Sequence, residues 1–191
     1  MNALLWLDTE TTGLHPGPGH ALLEIALVAT DLNFEILGQV STLVPADTQA
    51  AYEVADPFVK NMHTENGLWV DHADFMHQIP DVPSAINQLQ DYLITWAAQF
   101  GLFPGDKSTL FCAQGAVGVD NDYLRAYLPR VRELWGHRAF DISAWRDLIF
   151  KWYGCKAPEM AGTKHRALDD CLGMIATARW AREMFWRPVN R

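Results

Sequence analysis

The sequence predicts a single α/β domain spanning residues 1–191, with a mixed β-sheet flanked by helices. Strand-like apolar runs crowd the first 44 residues, whereas helix-period patterns interleave with short apolar runs in the remainder. A length of 191 residues suffices for one sizeable core and leaves little for a second. The hydrophobic fraction of 49%, with eight Trp and nine Phe, buries enough apolar area to offset the entropy of ordering the chain.

Taken in order, Ala3 to Leu7, Leu22 to Thr30 and Phe34 to Val44 are expected as three meandering strands. A Gly/Pro-rich turn from Gly13 to Gly19 and the Asp31-Leu32-Asn33 turn separate them. From Asp47 to Pro83 the periodicity is weakest. Behind Pro83-Ser84, the recurrence of Ile86, Leu89, Leu93, Trp96 and Ala97 predicts a helix that Gly101 and Pro104 end. Thr109 to Ala113 suits a short buried strand, and Val119 to Leu128 a helix that stops before Pro129. A strand ending near Ile142 leads into a helix through Trp145, Leu148, Ile149 and Trp152. The last helix is expected from about Ala167 to Glu183, with Leu168, Cys171, Leu172 and Ile175 on one face.

Composition narrows the function. A formal charge of −8 repels long polyphosphate chains, so a protein that grips long duplex nucleic acid is not expected. Clustered carboxylates awaiting a divalent metal would also raise the negative count, so a nuclease is compatible with that charge. No apolar run approaches the roughly 20 residues of a membrane span, and the first, Ala3 to Leu7, is broken by Asp8 and Glu10. Three cysteines without a Cys-x-x-Cys pair indicate neither a disulfide framework nor a zinc site, which fits a cytoplasmic protein.

Asp8 and Glu10 follow the first apolar run, and the two-residue period of a strand points both to one face. Like charges this close are costly unless they share a proton or a cation, and an all-oxygen donor set suits magnesium or manganese. Alone, the pair fits equally a capped and solvated turn. Asp120, after Gly115 and Gly118 where a helix would start, suits an N-cap. Asp169 and Asp170 in a first helical turn favour the helix dipole with or without a function, and His165 is expected in the loop entering that helix. Together these residues supply four carboxylates and a base, the set that two-metal phosphodiester hydrolysis requires.

In this pattern the chain resembles the DEDDh exonuclease superfamily, whose first motif stands here as Asp8-Thr9-Glu10-Thr11-Thr12-Gly13-Leu14, and within it the oligoribonucleases. The resemblance runs through Leu5-Trp6-Leu7-Asp8, Leu23-Glu24-Ile25-Ala26 with Val28 to Leu37, His63-Thr64-Glu65-Asn66-Gly67-Leu68, Gly118-Val119-Asp120, Phe140-Asp141-Ile142-Ser143 and His165 to Asp170. It implies a ribonuclease H-like fold, with Asp8, Glu10, Asp120 and Asp170 as ligands of two Mg2+ or Mn2+ ions and His165 as general base. It further implies a homodimer that degrades short single-stranded RNA, dinucleotides included, from the 3′ end to nucleoside 5′-monophosphates. Leu14 and Phe58 would wedge and stack against bases, while His63 and the partner subunit's copy of Arg138 would cap the 5′ phosphate.

The chain departs from the oligoribonuclease pattern at four places. Thr9 and Thr11 stand where Leu and Met are common, as in proofreading exonucleases, and Ala116 and His137 replace an expected serine and tyrosine of the phosphate cap. The competing expectations are therefore a DNA-directed DEDDh exonuclease with the same five residues and a catalytically silent nucleotide-binding or scaffold protein.

Overall fold

The computed structural model describes residues 3–113, 117–157 and 165–185. Five strands form one sheet: β1 (Leu4–Thr11), β2 (Leu22–Thr30), β3 (Ile36–Leu43), β4 (Phe111–Ala113) and β5 (Ala139–Asp141). Their spatial order is β3-β2-β1-β4-β5. The first three form the expected antiparallel meander, and β4 and β5 continue it in parallel, so the sheet is mixed. Eight helices surround it among the described residues: α1 (Thr48–Val54), α2 (Pro57–Glu65), α3 (Leu68–Met76), α4 (Val82–Ala98), α5 (Val117–Tyr127), α6 (Pro129–Arg132), α7 (Ile142–Tyr153) and α8 (Ala167–Phe185).

β2 is buried along its whole length, as a strand covered on both faces must be. One face, carrying Leu5, Leu7, Ile25 and Leu27, packs with Leu93 and Trp96 of α4 and Tyr123 and Leu124 of α5. The other, carrying Leu4, Trp6, Ala26 and Val28, packs with Cys171, Met174 and Ile175 of α8. A smaller core of Ala21, Leu23, Ala51, Ala55, Leu68 and Trp69 anchors α1 and α3.

These layers determine where β1 delivers its last residues. β1 runs on to Thr11, four residues beyond the expected end at Leu7, because Asp8, Thr9 and Glu10 keep the antiparallel register with Ala26, Ile25 and Glu24. Among the described residues, β4 pairs in parallel with Leu5 and Trp6 of β1. At the end of β5, Asp141 caps α7, its Oδ1 accepting from the Ser143 and Ala144 N–H groups at 2.8 and 3.1 Å. The Phe140-Asp141-Ile142-Ser143 run is thus the hinge from strand to helix. No helix among the described residues is long and apolar enough to cross a membrane.

Candidate active site

Alternation along β1 sends Asp8 and Glu10 to the face that α8 covers. Their neighbours across the ladder are Ala26 and Glu24, so three acids line the strand ends on one side. Asp170 arrives from the first turn of α8. One carboxylate oxygen from each of Asp8, Glu10 and Asp170 lies within 4.8 Å of the others.

Such a cluster resists ionisation when it holds only protons. Burial, then the charges of Asp120, Glu10 and Asp170, raise Asp8 well above the ordinary aspartate range. Glu10 is pushed up to about 8, chiefly by burial and then by Asp170 and Glu24. Burial also raises Asp170, against the opposing influence of His165. A divalent cation would remove the repulsion that these shifts report.

Asp120 sits in the first turn of α5, which begins at Val117. It is therefore inside the helix and does not serve as the N-cap, the first of its two expected roles. Only 3% exposed, it accepts a hydrogen bond on Oδ1 from the Thr9 hydroxyl at 2.5 Å, while Oδ2 is buried without a hydrogen-bond partner. Burial pushes its carboxyl up to about 7, with the Thr9 bond acting in the opposite direction. Asp120 stands outside the tight group of three, yet its charge is the largest electrostatic influence on Asp8.

His165 is exposed and lies just ahead of α8, with a left-handed backbone at φ 63°. Its main-chain N–H bonds the Asp170 carboxyl, and its carbonyl accepts from the Asn66 side chain. Of the five residues expected to act together, the structure brings Asp8, Glu10 and Asp170 into one group, with Asp120 of α5 acting electrostatically on Asp8 and His165 on Asp170.

Several residues with no role assigned from sequence hold this arrangement. The Arg166 guanidinium grips Glu24 with two bonds, Nε to Oε2 at 3.1 Å and Nη2 to Oε1 at 3.0 Å, and reaches Asp71 of α3 at 2.8 Å. Glu24 Oε2 also accepts from the Ala167 N–H at 3.1 Å, fastening the start of α8 to β2. The Leu23-Glu24-Ile25-Ala26 motif was the available signal for Glu24, but its partners lie 142 residues away.

Among the expected substrate residues, Leu14 is 67% and Phe58 73% exposed, unusual for large apolar side chains and suited to contact with a base. The loop carrying Leu14 is pinned to α5: the Tyr123 hydroxyl donates to the His15 carbonyl at 3.1 Å, and that of Tyr127 to the His20 carbonyl. His63 is fully buried at the end of α2, with Nε2 3.3 Å from the Thr11 carbonyl and 3.7 Å from Glu10, and Nδ1 without a partner. Burial lowers its pKa to about 4, so the ring is neutral near pH 7. Arg138 and His137 are exposed just before β5, and Ala116 lies outside the described residues.

Comparison with known proteins finds a family and a fold. The Exonuclease (RNase_T) family model matches residues 5–177. The oligoribonuclease of Corynebacterium glutamicum (strain R) is 30% identical over 186 residues, covering 96% of this chain and 80% of that one. That of Sodalis glossinidius (strain morsitans) is 30% identical over 191 residues, covering 97% of both. Among solved structures, a zinc-bound complex of E. coli exonuclease I with single-stranded DNA superposes with a TM-score of 0.62 at 15% identity. An exonuclease I from Methylocaldum szegediense does so at 0.60 and 18%. The chain spans 42% and 41% of those two longer proteins, and the likeness concerns the fold.

Proposed function

The chain belongs to the exonuclease family, and from that premise we propose that it is a 3′-to-5′ exoribonuclease degrading very short single-stranded RNA to nucleoside 5′-monophosphates. The observation that carries the chemistry is the approach of Asp8, Glu10 and Asp170 oxygens to within 4.8 Å of one another. The short-RNA substrate is supported by the oligoribonuclease relatives, two of them 30% identical along 96–97% of the chain.

The donor set fits a hard divalent cation. Asp8, Glu10, Asp120 and Asp170 offer only carboxylate oxygens, and the buried Asp120 Oδ2 has no hydrogen-bond partner. These four would hold two Mg2+ or Mn2+ ions. Bound there, the ions supply the activation of the attacking water and the charge that steadies the leaving 3′ oxygen. His165, exposed beside Asp170, would accept the proton of that water. Leu14 and Phe58 would hold the terminal bases by apolar contact. The partner's Arg138 would receive the 5′ phosphate of a short substrate, whereas the expected part of His63 meets an obstacle: the ring is fully buried and neutral, and with Nε2 on the Thr11 carbonyl its Nδ1 has no proton to give a phosphate.

A cytoplasmic homodimer completes the reading. Its support is the free state of Cys112, Cys155 and Cys171 and the exposed Phe150, Trp152 and Tyr153 of α7, which a second subunit would cover. The test is a product ladder from labelled RNA of two to seven nucleotides, with single-stranded DNA in parallel, in Mn2+, in Mg2+ and in chelator. Metal-dependent release of mononucleotides, fastest from the shortest RNA, is expected. Dominant DNA hydrolysis would replace the substrate assignment with the proofreading or repair alternative, and no hydrolysis of either polymer would end the nuclease reading.

A further inference from the structure

The alternation that sends Asp8 and Glu10 toward α8 sends Thr9 to the opposite face, where α5 begins. Asp120 comes from that second side, whereas Asp170 comes from the first. To share an ion with Asp8, the Asp120 carboxylate must be turned toward the end of the strand and kept there. We propose that Thr9 is the positioning residue that does this, its hydroxyl fixing which of the two Asp120 oxygens faces the metal. The inference rests on the reading of Asp120 as a metal ligand.

A carboxylate free to rotate presents either oxygen, and an ion then selects one arrangement at an entropic cost. Here Thr9 Oγ1 donates to Oδ1 at 2.5 Å, the length of a charge-assisted bond, and occupies that oxygen. Oδ2 is left buried and unpaired, the one carboxylate oxygen among the described residues in that condition. A buried acceptor without a partner is costly and is retained where something else satisfies it. Packing does not explain the choice of residue: Thr9 is only half-buried, and valine would have the same shape and at least the same strand preference. What threonine adds is the hydroxyl.

The bond also couples two elements. Thr9 belongs to β1 between the ligands Asp8 and Glu10, and Asp120 to α5, so one contact across 111 residues registers the helix against the strand at the ion. Losing the outer partner of a metal ligand weakens ion binding by about tenfold to a hundredfold.

The test is Mn2+ titration of the intact chain without RNA, in saturating nucleoside 5′-monophosphate, with free ion followed by electron paramagnetic resonance. Thr9→Val is expected to weaken one of two ions by about tenfold or more, Thr9→Ser to restore parental binding, and both to unfold thermally like the parent. Thr9→Ala is the second probe should the valine variant misfold, and carries the same expectation. Parental Mn2+ binding by Thr9→Val or Thr9→Ala, with weakened binding by Asp120→Asn, overturns the positioning role and leaves the metal assignment standing. Parental binding by Asp120→Asn overturns the assignment of Asp120 as ligand, and the role of Thr9 with it.

Discussion

Asn66 donates a side-chain hydrogen bond to the main-chain carbonyl of His165, joining residues 99 positions apart. The same amide accepts from the Leu68 N–H at 3.0 Å, so one side chain links the start of α3 to the loop entering α8. His165 has a left-handed backbone, a conformation that costs a non-glycine residue about 1–3 kcal/mol and persists only when its surroundings impose it. His165→Ala is therefore expected to keep the parental Mn2+ affinity and melting temperature while kcat on a diribonucleotide falls roughly 10²- to 10⁴-fold. A kcat within threefold of the parent would remove His165 as the proton acceptor.

The acid cluster sets a pH dependence for the metal-free protein. Glu10, raised from 4.5 to about 8, and Asp120, raised from 3.8 to about 7, bind protons in the folded state that the unfolded chain has released. Their contribution to stability is complete below the unfolded values and disappears as pH rises through the folded ones. His63, lowered from 6.5 to about 4, acts oppositely, its contribution being lost as pH falls from 6.5 through 4. Between pH 6.5 and 8 the two acids act without that opposition. Chemical denaturation in chelator should show stability falling there by on the order of 1 kcal/mol per pH unit, with a shallower slope for Glu10→Gln and a flatter one in Mn2+. Stability that rises across this window in chelator would contradict the buried, protonated cluster.

The two acids that share Arg166 are expected to differ in weight. The Glu24 side chain is 6% exposed and that of Asp71 50%. Glu24→Ala leaves a half-buried guanidinium without its main partner and should cost on the order of 3 kcal/mol, against about 0.5 kcal/mol for Asp71→Ala. Urea unfolding of both variants in Mn2+ measures the difference, and equal losses would mean that Glu24 does not hold α8.

Leu14 and Phe58 should act on substrate and leave the fold alone. Because both side chains stand in solvent, truncation to alanine is expected to change stability by less than about 0.5 kcal/mol. KM for a diribonucleotide should rise about tenfold for each, since stacking on a base contributes roughly 1–3 kcal/mol. Unchanged KM in both variants would move base recognition elsewhere.

Elements with a long period or a sharp boundary were legible in the sequence. The seventeen-residue α4 repeats its apolar face often enough to stand out, and the three strands of the meander are bounded by turn residues. α1, α2 and α3 are only 7, 9 and 9 residues long, shorter than the window over which a helical period becomes visible, and they occupy the weakly patterned Asp47 to Pro83 stretch. The acids were legible only as a set: Asp8 and Glu10 alone fit a capped turn equally well, and it was their combination with Asp120, His165 and Asp170 that pointed to a metal site. The residues that hold them were not: Glu24, Asn66 and Thr9 find their partners 142, 99 and 111 residues away, and a side chain's distant partner leaves no periodic trace. Burial of His63 was equally hidden, because it follows from Trp69 packing edge-on against the ring at 5.7 Å.

Since Asp8 and Glu10 come from β1 and Asp170 from α8, the set of acids stays incomplete until α8 has been made. Two of the three clustered acids alone form no such centre. Docking of α8 onto β1 and β2, fastened by Glu24, is the step that completes it. The centre is therefore a product of tertiary docking, since no single element carries it.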